Sequence, residues 1–368
     1  MLISPLILLN TPERWGRLTA GMTPDGSFLL ICLANGIKVG IGVDYHYLAD
    51  KQNRTMKQLY HLSISCHSET LFRNPEDVRS ITNILALTAF AVGVEIWVDA
   101  LMGTHLHLIV FGEQERVLEL ARRLKLRITK YHRGRYRGSG PLFDPPIFTL
   151  RLEGENHILA AISYVLRNGM HHAQSATPFG YANCSVNDLF RLELGKSEKK
   201  PAYTSRADIA GNLPRFSDFP DRFSMDEYGM ILRESFEELR RVELYYKTPR
   251  SFLYQMNRLS SDDWEMEQAK DGTGEAPVTL GNIEPFFDEQ SLTDLLSNER
   301  GFNYRSDRKT DMEVCGLIDR DLMSRFPGKS VFELDECQKR FIARLLHYDF
   351  HLPTKQICRC LSIKTTKL

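Results

Sequence analysis

The chain has 368 residues, and its 47 basic and 47 acidic side chains cancel, so no global field draws it to nucleic acid or to a membrane surface. That length exceeds one comfortable core and predicts two or three globular domains. The seven cysteines are dispersed (Cys32, Cys66, Cys184, Cys315, Cys337, Cys358, Cys360), which excludes a disulfide scaffold and points to reduced thiols and a cytoplasmic setting.

In chain order, the apolar opening Leu2 to Leu9 is short, contains Pro5 and lacks a basic flank, so it reads as neither signal peptide nor membrane span. Residues 1–55 form an N-terminal extension of turn-rich strands with no assignable chemistry. The pattern then predicts strand Leu59 to Cys66, helix Pro75 to Val92, strand Val94 to Leu101, strand His105 to Gly112, helix Glu115 to Tyr131, strand Ile147 to Leu152 and helix Asn156 to Asn168. The order βαββαβα over residues 56–195 implies an α+β, ferredoxin-like core, an antiparallel sheet with helices packed on one side. Alternation from Glu95 to Ala100 predicts a strand with one polar face.

Inside the fourth of these elements, Met102-Gly103-Thr104-His105-Leu106-His107 places two histidines two residues apart. A strand sends alternate side chains to one face, so His105 and His107 emerge side by side, about 7 Å apart at Cα, and can grip one metal ion. A strand histidine is also an ordinary hydrogen-bonded structural residue, and the motif alone does not separate the two readings. From Arg122 to Arg137 the chain carries Arg122, Arg123, Lys125, Arg127, Lys130, Arg133, Arg135 and Arg137 with no acidic residue, interleaved with Tyr131, His132 and Tyr136. Cations among flat rings suit single-stranded DNA; the alternative is a solvated helix face. In the last helix Ile158, Ile162, Val165 and Leu166 recur with helical spacing, Gly169 stands where a helix stops, and Tyr164 and Asn168 lie four apart on one face.

The Met-x-x-His-Leu-His sequence and the Tyr-x-x-x-Asn helix, in this order and separation, resemble the single-tyrosine HUH transposases, most closely the REP-associated tyrosine transposase branch. Leu59-Tyr60-His61-Leu62-Ser63-Ile64-Ser65, Leu71-Phe72 and Arg167-Asn168 are supporting matches, and the resemblance spans about Met56 to Phe190. Met56 stands where relatives commonly begin. Relatives usually have Pro and Asn or Asp where this chain has Gly103 and Thr104, and Pro where it has Gly169, differences that alter local rigidity more than the donor set. The resemblance implies that His105, His107 and Asn168 hold Mg2+ or Mn2+ and that Tyr164 is the nucleophile. It further implies a single-stranded or hairpin DNA partner and attack on DNA to give a 5′-phosphotyrosine; no membrane partner is expected, and the chain is expected to be a monomer or homodimer. Three alternatives stand beside it: a regulator that binds DNA hairpins without cleaving them, a phosphoesterase using water, and an RNA-binding protein.

Residues 196–310 read as a helical and acidic linker region. It opens with the solvated boundary Gly195 to Pro201, has a helical stretch Met225 to Tyr246, and is acidic from Ser261 to Glu299. In residues 311–368, Leu334 to Tyr348 reads as an amphipathic helix, and Leu352 to Ile363 resembles the start of a helix-turn-helix with Lys364 to Lys367 opening a recognition helix; a plain helical hairpin is the alternative. Cys358 and Cys360 with His347 and His351 lack the second half of a zinc pattern and read as packing residues.

Overall fold

Two runs of alternating side chains, Leu59 to Ser65 and His105 to Phe111, set the architecture around the site. The structure, a computed structural model, describes residues 18–22, 28–34, 37–43, 56–66, 69–144, 146–214, 217–258, 262–283 and 305–363. Leu2 to Leu9, the acidic residues beyond Ile283 and Lys364 to Lys367 therefore lie outside the described residues. The chain divides into two units, residues 1–56 and 57–368. The first contains an antiparallel meander of β1 (Leu18–Met22), β2 (Phe28–Ala34) and β3 (Ile37–Val43).

The second unit is α+β. Its sheet contains β4 (Gln58–Ser65), β5 (Glu95–Leu101), β6 (His105–Gly112) and β7 (Phe148–Leu152) in the order β5-β6-β4-β7, every neighbour antiparallel. On one face Tyr60, Leu62 and Ile64 join Leu106, Leu108 and Val110. They pack beneath α1 (Pro75–Val92) and α2 (Gln114–Tyr136). The Asn74/Asp77 capping box starts α1, and Gly93, at φ 76°, ends it in the left-handed region that an L side chain rarely adopts.

The other face carries Leu59 and Ile109 and is covered by α3 (Glu155–Leu166), with α4 (Asn168–His171) continuing after a break. The expectation of helices on one side is thus corrected. Both faces of the central strands are buried, and α3 supplies the apolar cover that the second face needs. The second helix of the core also runs five residues past the expected Tyr131, because its buried stripe Leu120, Leu124, Ile128 continues through His132.

β5 departs from simple alternation. A bulge between Ile96 and Val98 admits Trp97 as an extra residue, and Asp99, expected on a polar face, is fully buried. Its carboxylate meets Arg233 of α5 (Arg233–Phe236), with Nε 3.1 Å from each oxygen and Nη2 at 2.9 Å. Glu237 flanks the arginine, and Ser185 Oγ donates to Glu237 at 3.0 Å. Burial, then the Asp99 charge, raises the Glu237 carboxyl well above the ordinary range.

The outer edge of β5 does not stand open. Glu238 N–H donates to the Ile96 carbonyl at 2.8 Å and Leu101 N–H to Asn183 at 2.8 Å, so two later segments pair with it. The stretch expected as one helix from Met225 is therefore divided. Met225 bridges Tyr203 and Ile231, Gly229 turns the chain at φ 78°, and α5 and α6 (Leu239–Tyr246) follow.

The acidic region likewise carries core side chains, Trp264 of α7 (Asp262–Ala269), Val278 and Ile283. Beyond it α8 (Asp311–Arg325), α9 (Glu336–Tyr348) and α10 (Thr354–Cys360) enclose a separate apolar cluster of Val314, Ile318, Leu346 and Ile357. Arg73 fastens this module by donating to the Cys360 carbonyl at 2.7 Å and lying over Tyr136 and Phe332. Among the described residues no helix is long and apolar enough to cross a membrane.

Removing the arginine by Arg233→Ala leaves Asp99 buried without its countercharge. A loss of about 3–5 kcal/mol is expected, read as a lowered denaturant midpoint at unchanged slope. A second expectation concerns pH. Burial holds the imidazoles of His132 and His157 below their ordinary value of 6.5, so the unfolded chain takes up these protons first on acidification. Their stabilising contribution is present above about pH 6.5 and is lost as pH falls from there toward the depressed folded values. Denaturant midpoints should fall between about pH 7.5 and about pH 5, and fall less in His157→Gln.

Candidate functional site

β6 begins where the chain turns at Gly103 and Thr104. Leu71 N–H donates to the Gly103 carbonyl at 2.7 Å and Cys66 N–H to the Thr104 carbonyl at 2.6 Å, which pins the start of the strand. Opposite it on β4, Ser65 pairs with His105 and Ser63 with His107. Directly opposed residues share a face, so the two histidines, both serines and His61 project to the side covered by α3. His105 and His107 are buried, with ring centroids 4.8 Å apart.

α3 brings the tyrosine to them. Its first turn is capped from outside. Gly154, at φ 93°, offers no side chain, and Asp271 instead accepts from His157 N–H at 2.9 Å and from Asn156 Nδ2 at 2.8 Å. A Cβ at Gly154 would meet Asp271 Oδ2 at 2.4 Å, so both the backbone angle and the close approach call for glycine there. The helix is buried on nearly every side, and Tyr164 lies with its ring perpendicular to His107 at 5.7 Å and to His61 at 6.4 Å.

The sequence places the helix stop at Gly169, and here the structure differs. The helix breaks at Arg167 and resumes as α4, with Gly169 inside the new turn. The reason for glycine is packing, since a Cβ at 169 would lie 2.3 Å from Tyr181 Cβ. Tyr181 is held in turn by donating to the Leu101 carbonyl at 2.7 Å. The extra turn puts Asn168 Oδ1 3.3 Å from His105 Nε2, stacks His171 against Tyr164 at 4.9 Å, and sets His172 at 4.6 Å from His105.

Four contributors have no role assigned to them by the sequence. Thr104 Oγ1 is hydrogen-bonded to His105 Nδ1 at 3.0 Å, and His61 Nε2 to His107 Nδ1 at 2.9 Å. His171 and His172 complete the wall. Only the β4/β6 register reveals His61, whereas the His-His pair one turn after Asn168 was a visible signal hidden by the expected helix stop.

The donor set suits a divalent cation in one respect. His105 Nε2 and Asn168 Oδ1, 3.3 Å apart, are close to the edge of a six-coordinate shell with ligand distances of roughly 2.1 Å, whose edges are roughly 3 Å. Two imidazoles and an amide are neutral and would leave the ion its full charge. Among the described residues no group of three or more His, Cys, Asp or Glu is arranged to hold a metal ion.

The basic stretch lies elsewhere. The body of α2 packs on the opposite face of the sheet from Tyr164, and most of its charges find partners, two of them within the helix and the others distant in sequence. Arg122 and Arg123 pair with Glu119, Lys125 donates to the Asp144 carbonyl, and Arg127 donates to Thr88. Arg133 grips Glu69 with two bonds of 2.7 and 2.6 Å, Arg135 meets Glu76 at 2.6 Å, and Arg137 meets Glu333 at 3.0 Å. Tyr131 and Tyr136 both donate to the buried Asp77, at 2.9 and 2.6 Å, and burial pushes the Tyr131 phenol up to about 12. Lys130 is exposed. The structure thus gathers Tyr164, His105, His107 and Asn168 into one cluster and leaves the basic residues outside it.

No protein-family model and no curated protein matches the sequence. Among solved structures it is similar to a REP-associated tyrosine transposase bound to a REP hairpin, at 10% identity and a TM-score of 0.30. The match covers 39% of this chain and 86% of that one, a likeness too loose to bear on function.

Gly169→Ala should overpack the turn that carries Asn168, because the nearest atom is a Cβ and not the flexible end of a side chain. A loss of about 1–3 kcal/mol is expected on thermal unfolding; wild-type stability would show that Tyr181 can move aside.

Proposed function

We propose that this protein is a single-tyrosine strand transferase that cleaves single-stranded DNA at hairpin-forming sequences, with Tyr164 as nucleophile. The observation that carries the reading is the buried cluster in which Tyr164 stands perpendicular to His107 while Asn168 faces His105. The strand order β5-β6-β4-β7, with two crossover helices on one face, supports reading the core as ferredoxin-like within the HUH transposase family.

His105, His107 and Asn168 would hold Mg2+ or Mn2+, which supplies Lewis-acid neutralisation of charge at a scissile phosphate. The chain's own residues carry the rest. Tyr164 Oη attacks phosphorus, the new O–P bond replaces the P–O3′ bond, the phenolic proton passes to water, and water supplies the proton that the departing O3′ takes up. The products are a 5′-phosphotyrosine and a free 3′-hydroxyl. One phosphodiester replaces another, so the step is reversible without ATP. Arg122, Arg123, Lys130 and Arg137, exposed along α2 and at its end, are the cations of the basic stretch best placed to meet phosphates.

Burial of Tyr164, which is only 5% exposed, favours one second reading, a hairpin-binding regulator without strand transfer. Incubation of the protein with labelled palindromic oligonucleotides and Mn2+ separates the two on a denaturing gel. A DNA-linked band is expected, absent in Tyr164→Phe and reduced about 100-fold or more in His105→Ala. Hairpin binding with no such band would leave the regulator.

A further inference from the structure

Outside the proposed tyrosine, histidine and asparagine set, His61 reaches that set from the neighbouring strand. It is fully buried on β4, two residues from Ser63, which faces His107 across the ladder. Its Nε2 lies 2.9 Å from His107 Nδ1, and the two rings are nearly parallel, 15° apart with centroids at 5.0 Å. Phe148 abuts its edge at 5.6 Å and Tyr164 lies perpendicular to it. Its ring is therefore clamped on several sides.

An imidazole can give only one nitrogen lone pair to a cation, and the other nitrogen must then carry the proton. The contact with His61 engages Nδ1 of His107, which leaves Nε2 as the donor atom. We infer that His61 is a positioning residue: it accepts a hydrogen bond from His107 Nδ1–H and thereby fixes the ring orientation and the tautomer that presents Nε2 to a divalent cation. The role is the one a carboxylate or a backbone carbonyl plays behind most metal-bound histidines. A neutral acceptor performs it here without subtracting from the cation's charge. Thr104 stands in the equivalent position behind His105. The inference rests on the proposed metal-binding role of His105 and His107, and not on strand transfer.

The test has two readouts. In protein containing isotope-labelled histidine, long-range proton–nitrogen NMR correlations report which His107 nitrogen carries the proton without any metal. Calorimetric titration with Mn2+ reports affinity in wild type, His61→Phe, which keeps the ring but not the acceptor, and His61→Gln, whose amide oxygen restores an acceptor. The expected result is a proton on His107 Nδ1 in the wild type, Mn2+ affinity weakened about 10–100-fold in His61→Phe, and substantial recovery in His61→Gln. A proton on Nε2, wild-type Mn2+ affinity in His61→Phe, or no Mn2+ uptake by the wild type would each overturn it. The NMR readout needs no variant to fold. Absence of a DNA adduct alongside the expected tautomer and affinities would remove the strand-transfer reading and leave the positioning role standing.

Discussion

The site depends on the register between β4 and β6. Because strand side chains alternate, pairing Ser63 with His107 and Ser65 with His105 sends every imidazole of these two strands to the α3 side and every large aliphatic of Leu62, Ile64, Leu106 and Leu108 to the other. A slip of β6 by one residue would bury both of its imidazoles under α1 and α2 and turn Leu106 and Leu108 toward Tyr164. The aliphatic core on the far face therefore enforces the arrangement of polar groups on the near face. Hydrophobic burial there, at about 25 cal/mol per Å², is the driving term, and the histidine contacts add orientation to it.

α3 meets this face under constraints that come from far along the chain. Asp271 caps its first turn, Tyr246 is hydrogen-bonded to Ser163 at 2.9 Å in its middle, and Tyr181 wedges against Gly169 just past its end. The three contacts locate the helix along its length, at its axis and at its exit. Residues beyond 196 therefore take part in placing Tyr164.

Much of the site was legible in the sequence because its two motifs are local. His105 and His107 follow a period of two, Tyr164 and Asn168 a period near four, and each period names a shared face without knowledge of the fold. What failed to show was non-local. His61 needs a strand register, Asp99 needs Arg233, 134 residues away, and the absence of acidic residues between Arg122 and Arg137 concealed partners such as Glu69 and Glu333, which lie 64 and 196 residues from the arginines they meet. Gly169 misled for a related reason. A glycine after an apolar helix ordinarily marks its end, yet here it makes room for a tyrosine twelve positions later in the chain, at 181.

The covering of β5 limits how the molecule can be divided. The segments that occupy its outer edge come from Asn183 and from Glu237 to Glu238, and the countercharge for Asp99 comes from Arg233. A fragment trimmed to the motif-bearing residues before 196 would keep the first of these and lose the others. It would expose a strand lined with unsatisfied amides and carbonyls beside an uncompensated carboxylate, a surface prone to adhere to its own copies. Shortened versions of the protein should thus be cut beyond Ile283, which keeps Asp271, Val278 and Ile283, and not at the charged boundary near Lys196.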